Sequence, residues 1–126
     1  MPKEELPIFL KKRKLLWETK DKNQLAKYGD LYLNADFIDD ALDFYERAQS
    51  HEGFLKIEEI SKKTGNLVLY KKVAKILRKD VDPLAANEIG MKAMEMEKFA
   101  IALDAFKLSK NEVMQKKIEE LLTIKD

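Results

Sequence analysis

Residues 25–45 read LAKYGDLYLNADFIDDALDFY, and residues 86–106 read ANEIGMKAMEMEKFAIALDAF. Set side by side, the two share one skeleton. The first gives Leu25-x2-Tyr28-Gly29-x2-Tyr32 and then Ala41-x3-Tyr45; the second gives Ala86-x2-Ile89-Gly90-x2-Ala93 and then Ala102-x3-Phe106. In both, the glycine precedes the alanine by twelve residues, and both contain Ala-Leu-Asp, at 41–43 and 102–104. A copy matching in residue class lies between them, Ile57-x2-Ile60-Ser61-x2-Thr64 followed by Val73-x3-Leu77. Self-similarity of this kind marks a repeat protein. The spacing has a physical reason. Gly29, Ser61 and Gly90 let a partner helix come close. Ala41, Val73 and Ala102 occupy the same tight crossing. Tyr45, Leu77 and Phe106, one turn further on, fill the gap toward the next unit. Each helix pair leaves an apolar face uncovered, so pairs must stack.

Working outward from these units, apolar spacing predicts helices throughout and no segment alternates like a strand. Leu6, Phe9, Leu10, Leu16 and Trp17 give a first helix within 3–18, with Pro7 in its first turns. The second is expected over 22–34 with Asp21 as its cap, the third from Ile38 to about Ser50, and the fourth over 52–64, stopped by Gly65-Asn66. The fifth is expected over 67–79. The sixth runs from Pro83 to about Glu97, with Asp82-Pro83 as cap and first helical residue. The last two are expected over 99–108 and 112–124. No linker is long enough to divide the chain. The expected organisation is one all-α domain over 1–126: an N-terminal helix in 1–20, helix pairs at 22–50, 52–79 and 83–109, and a C-terminal capping helix at 111–126.

Composition narrows the function. Among 126 residues there is no cysteine, which removes disulfides, thiolate nucleophiles and cysteine-held metals. Charged residues make up 37%, well above the usual quarter, so helical faces are extensively solvated. The net charge of +1 hides blocks of +3 over 1–20, −6 over 21–60, +6 over 61–81 and −2 over 82–126. No apolar run is long enough to span a bilayer, and Met1 to Leu10 does not read as a secretory signal, so the cytoplasm is the expected compartment. Without a glycine-rich phosphate loop or a nucleophile elbow, no motif supports catalysis, and neither cofactor nor metal is expected. His51, the one histidine, is expected as a solvated turn residue. Asp39, Asp40 and Asp43 read as acids favoured at a helix start.

The repeat resembles the tetratricopeptide family, whose pattern is W-x2-L-G-x2-Y…A-x3-F…P. The resemblance covers about residues 22–110 as three units. The units are shorter than the family's and lack its closing proline, unless Pro83 stands in for one; an irregular solenoid of the coat-protein type is the alternative fold. The resemblance implies a right-handed α-solenoid of about three helix pairs with capping helices. It also implies a non-enzymatic scaffold that binds a protein or peptide along a concave groove lined by the first helix of each pair. Carried over by register, the partner-binding residues are Asp30, Leu33 and Asn34, then Glu58 and Lys62, then Asn87, Met91 and Met94. Members that clamp a carboxylate use Lys, Asn and Arg on these faces. Here Ala26, Asp30, Glu59, Leu84 and Glu88 stand instead, which argues against a carboxylate ligand.

Two basic runs remain. Lys11-Lys12-Arg13-Lys14 reads as a solvated face, or else as a targeting or phosphate-binding patch. Lys71, Lys72, Lys75, Arg78 and Lys79 form a stripe at helical spacing. Only Tyr70 accompanies that stripe, so the residues argue against nucleic-acid binding, which needs aromatics or a groove-reading helix beside the charge. Electrostatic nucleic-acid binding and self-assembly into a homo-oligomer are the two alternative functions.

Overall fold

The computed structural model describes residues 9–125, and the side chains of 11–123. Among these, the chain forms eight helices and no strand: α1 (Phe9–Glu18), α2 (Lys22–Asn34), α3 (Ile38–Ala48), α4 (His51–Thr64), α5 (Leu67–Ile76), α6 (Pro83–Glu95), α7 (Phe99–Ser109) and α8 (Glu112–Lys125). The expected helix start near residue 3, with Leu6 and Pro7, lies outside the described residues. The chain divides into two compact units, one ending at Ile57 and the other beginning at Glu58.

In the first unit α2 and α3 form a closely packed pair. Asp21 caps α2 by accepting from the backbone N–H of Asn23 at 2.9 Å. Tyr32 and Phe44 stack with ring centroids 5.2 Å apart, and Leu25, Leu42 and Phe54 are buried. α1 lies on α3. The Lys12 ammonium donates to Asp40 and Asp43, each at 2.8 Å, the Arg47 guanidinium lies 4.7 Å from the Trp17 ring centre, and Arg47 Nε donates to the Leu16 carbonyl at 3.0 Å. Lys12 is therefore not part of a solvated face. Burial works against its charge, but the bonds to Asp40 and Asp43 outweigh this and hold its pKa above the ordinary lysine value. Asp39 and Asp40 do fall in the first turn of α3. His51 is the first residue of α4 rather than a turn residue. The Ser50 hydroxyl accepts from Gly53 N–H at 3.0 Å and starts the helix there.

In the second unit α6 and α7 are the closely packed pair, and α8 packs on α7. One buried cluster joins Leu67, Tyr70, Ala85, Ile89 and Ala105, with Val81 and Ile101 at its edge. Another joins Ala93, Ala102, Phe106 and Ile118. On α8, Ile118 is buried while Val113, Lys116, Lys117, Glu119, Glu120 and Leu122 are exposed.

The repeat is written in the helix stops. Asp36, Gln49, Gly65, Arg78, Glu97 and Lys110 all have positive φ, between 54° and 67°. After each, the next N–H donates back across the last turn: Phe37 to Tyr32, Ser50 to Tyr45, Asn66 to Ser61, Lys79 to Ala74, Lys98 to Ala93 and Asn111 to Phe106, at 2.9–3.0 Å. This is the left-handed stop that satisfies the final carbonyls of a helix. Within each pair the two stops are thirteen residues apart, at 36 and 49, 65 and 78, 97 and 110. Left-handed residues near 49, 78 and 97 also end α3, α5 and α6 two or three residues before the expected limits.

The stops set the register of the middle pair three residues upstream of Ser61, Val73 and Leu77. Counted from its stops, Glu58 matches Gly29 and Gly90, Tyr70 matches Ala41 and Ala102, and Ala74 matches Tyr45 and Phe106. Three residues are nearly one helical turn, so both registers put interior residues on the same face. Ser61 and Val73 are indeed fully buried. The middle pair thus exchanges large for small: α3 and α7 carry alanine and then an aromatic, whereas α5 carries Tyr70 and then Ala74, both buried.

Candidate functional site

The residues expected to line a partner-binding face are divided between the two units, and most are already engaged. In the first unit Asp30 accepts from the Tyr45 hydroxyl at 2.5 Å and pairs with Lys56 at 3.2 Å. Leu33 is half-buried, and Asn34, the last residue of α2, is exposed. In the second unit Glu58 is held by Lys79 at 2.9 Å. Lys62 pairs with Glu59 at 3.2 Å and reaches Glu88 at 4.0 Å. The Glu59 hydrogen bond raises the Lys62 pKa above the ordinary value, with Glu88 adding to it and burial opposing. Asn87 accepts from Asn111 Nδ2 at 2.8 Å, which ties α6 to the start of α8. Met94 packs on the cluster of Ala93, Ala102, Phe106 and Ile118 and has a core role. Met91 is 46% exposed.

What remains open is one stripe of α6. The helix is started by Asp82, whose side chain accepts from Leu84 N–H at 3.1 Å, with Pro83 at the first helical position. Its inward face is made of small residues, Ala85, Ala86, Gly90 and Ala93, with Ile89 as the one large side chain. Small residues let α7 approach closely, so the larger apolar residues of α6 fall outside. Leu84 is 81% exposed, the most of any large hydrophobic residue described. Leu84, Glu88, Met91 and Glu95 follow one another at steps of four, three and four, and all are exposed. They form a single line along the helix, alternately apolar and acidic. Lys92 pairs with Glu95 at 3.2 Å beside it. Reading by family register found Met91 but not Leu84. The available signal was the surplus of large apolar residues on a helix whose inward face is alanine and glycine.

Elsewhere among the described residues the exposed large apolar side chains, such as Trp17, Leu55, Val68 and Val113, stand singly along their helices. Lys71, Lys72, Lys75 and Arg78 are exposed on or just after α5, but Tyr70 is buried, so the basic stripe presents no ring for a base to stack on. A shallow cleft of about 430 Å³ between α1 and α3 is lined by Leu16, Trp17, Asp43, Glu46, Arg47 and Gln49. There Lys12 holds Asp43 and Arg47 lies over Trp17. Among the described residues no three His, Asp or Glu side chains stand together as metal ligands. No helix of the described residues is long and apolar enough to cross a membrane. Compared with known proteins, the chain matches no family model, no curated protein and no solved structure.

Proposed function

We propose that this chain is a tetratricopeptide-like helical repeat that works without chemistry, as a scaffold binding a segment of another protein. The observation that carries the reading is the α6 stripe, where Leu84 and Met91 stand uncovered on one line with Glu88 and Glu95 between and beyond them. Exposed large apolar side chains in register, edged by charge, are the surface type that partner helices and extended segments use. Alternation of apolar and acidic positions fits an amphipathic segment with apolar anchors and basic neighbours. The engaged states of Asp30, Glu58, Asn87 and Met94 support narrowing the recognition residues to Leu84, Glu88, Met91 and Glu95.

Site-specific photo-crosslinking tests this. A benzophenone side chain placed at position 84 or 91 should trap one defined protein in native extract, whereas the same group at 107 or 116 should not. Adducts confined to 107 or 116 would place recognition elsewhere.

A further inference from the structure

The ring that the α5 stripe lacks stands on α1. Trp17, the chain's one tryptophan, is 62% exposed. Arg13 and Lys14 precede it by four and three residues, so both flank it on the helix surface, and both are exposed. Among the described residues neither holds an ion pair. Arg47, reaching over from α3, is already fixed: its Nε donates to the Leu16 carbonyl at 3.0 Å, and its guanidinium lies 4.7 Å from the centre of the indole ring. Its terminal N–H groups have no hydrogen-bond partner among the described residues, so they can still donate to an anion. These groups border the cleft of about 430 Å³ between α1 and α3. Two acids line that cleft. Asp43 is neutralised by Lys12 at 2.8 Å, and Glu46 is exposed. A carboxylate in this position opposes a phosphate but accepts from the amino group of a base.

From this juxtaposition of an open indole ring with Arg13, Lys14 and Arg47 we infer that the outer face of α1, with Arg47, is a stacking site for single-stranded nucleic acid. One base lies on Trp17 with its amino edge toward Glu46, and the phosphates run along the three cations. A lipid surface matches less well. Among the described side chains of α1, Trp17 is the one large apolar group exposed, and Glu46 would face anionic headgroups. An acidic protein segment would likewise meet Glu46 and leave the ring unused. The inference does not depend on the α6 surface. Three phosphate contacts make the binding weak and steeply salt-dependent. The slope for a single strand is about −0.7 per contact, so a tenfold rise in salt lowers affinity about a hundredfold.

The lone tryptophan serves as the reporter. The whole protein is titrated with a dye-labelled oligodeoxycytidylate of about 15 nucleotides, at ~0.05 M and ~0.5 M salt. Indole fluorescence reports stacking, and anisotropy of the dye reports binding. The expected result is saturable quenching of Trp17 at low salt, with affinity about a hundredfold lower at high salt. Inorganic polyphosphate, which carries no bases, should compete for the cations without quenching the indole. Trp17→Leu should weaken binding about tenfold by anisotropy, while Trp17→Phe, which keeps a ring, retains most of it. Arg13→Glu with Lys14→Glu should abolish binding, and Lys71→Glu with Lys75→Glu on α5 should leave it unchanged, each variant checked for fold by circular dichroism. No saturable quenching at low salt overturns the inference. So does a Trp17→Leu variant that binds as tightly as the wild type, or binding lost in the α5 variant and kept in the α1 variant. A shift of Trp17 emission on phosphatidylserine vesicles, with no response to the oligonucleotide, also overturns it and gives the face to a lipid surface.

Discussion

At Gly29 and Gly90 the room for a side chain is taken by a ring. A Cβ at Gly29 would lie 2.6 Å from a carbon of Tyr45, and one at Gly90 would lie 2.7 Å from a carbon of Phe106. Both glycines were legible as close-packing sites, because glycine inside a helix costs stability unless something needs the space. The aromatic was expected to fill the gap toward the next unit, and it does more: it lies on the glycine of its own pair, and Tyr45 also lies against Gly53 at the start of α4. Gly90→Ala should therefore destabilise by about 1–3 kcal/mol, the usual range for overpacking, in urea or thermal melts. Combined with Phe106→Leu, its added cost should shrink, since the smaller side chain removes the ring it strikes. Tyr45 makes a second test. Burial, and then the bond to Asp30, push its pKa well above the ordinary tyrosine value, and burial raises Tyr32 as well. A pKa raised by folding gives stability that is complete below the unfolded value, roughly 10, and is lost as pH climbs toward the folded one. The urea midpoint should accordingly fall above about pH 10, and Tyr45→Phe should flatten that fall while losing about 1–3 kcal/mol at neutral pH with the hydrogen bond to the Asp30 carboxylate.

Among the elements, the second and sixth helices were the most legible, because Asp21 and Asp82-Pro83 are strong start signals. The stops were not. Gly65 and, more weakly, Asp36 announce a left-handed residue; Gln49, Arg78, Glu97 and Lys110 take the same conformation with side chains that disfavour it. In the middle unit, where residue types match only in class, the spacing of the stops carries the repeat, one turn from the register of Ser61, Val73 and Leu77. Lys110→Gly should relieve that strain and raise stability by about 0.5–1 kcal/mol in urea denaturation. Gly65→Ala should lower it by at least ~1 kcal/mol, since φ is +65° and the new Cβ would lie 3.0 Å from the Ala93 nitrogen. The exchange of Tyr70 and Ala74 leaves its own mark: the Tyr70 hydroxyl is buried without a hydrogen-bond partner among the described residues. Such a group costs about 1–3 kcal/mol, so Tyr70→Phe should raise stability, by about 1 kcal/mol in the same assay. No rise would mean that the hydroxyl is satisfied in solution.

For the whole molecule, charge blocks were visible in the sequence but their pairing was not. Lys12, from a run that reads as solvated, is drawn to Asp40 and Asp43 on α3, because separation along the chain says nothing of which helix faces meet. The same limit governed the candidate site. Asp30, Asn87 and Met94 have the right residue types and register for recognition, yet each is used internally, by Tyr45, Asn111 and the Phe106 cluster. Leu84, at the N-terminal end of α6, escaped notice because family register assigned it to a clamp that its side chain cannot make. With the partner trapped at position 84 or 91 purified, isothermal titration of the wild type against a Leu84→Ser, Met91→Ser variant tests the recognition surface most directly. Circular dichroism first establishes that the variant is folded, and Lys107→Ala with Lys116→Ala serves as the control. The predicted result is at least a tenfold weaker Kd for the α6 variant, about 1.4 kcal/mol, with the control unchanged. A folded α6 variant that binds as tightly as the wild type would contradict the assignment of the stripe.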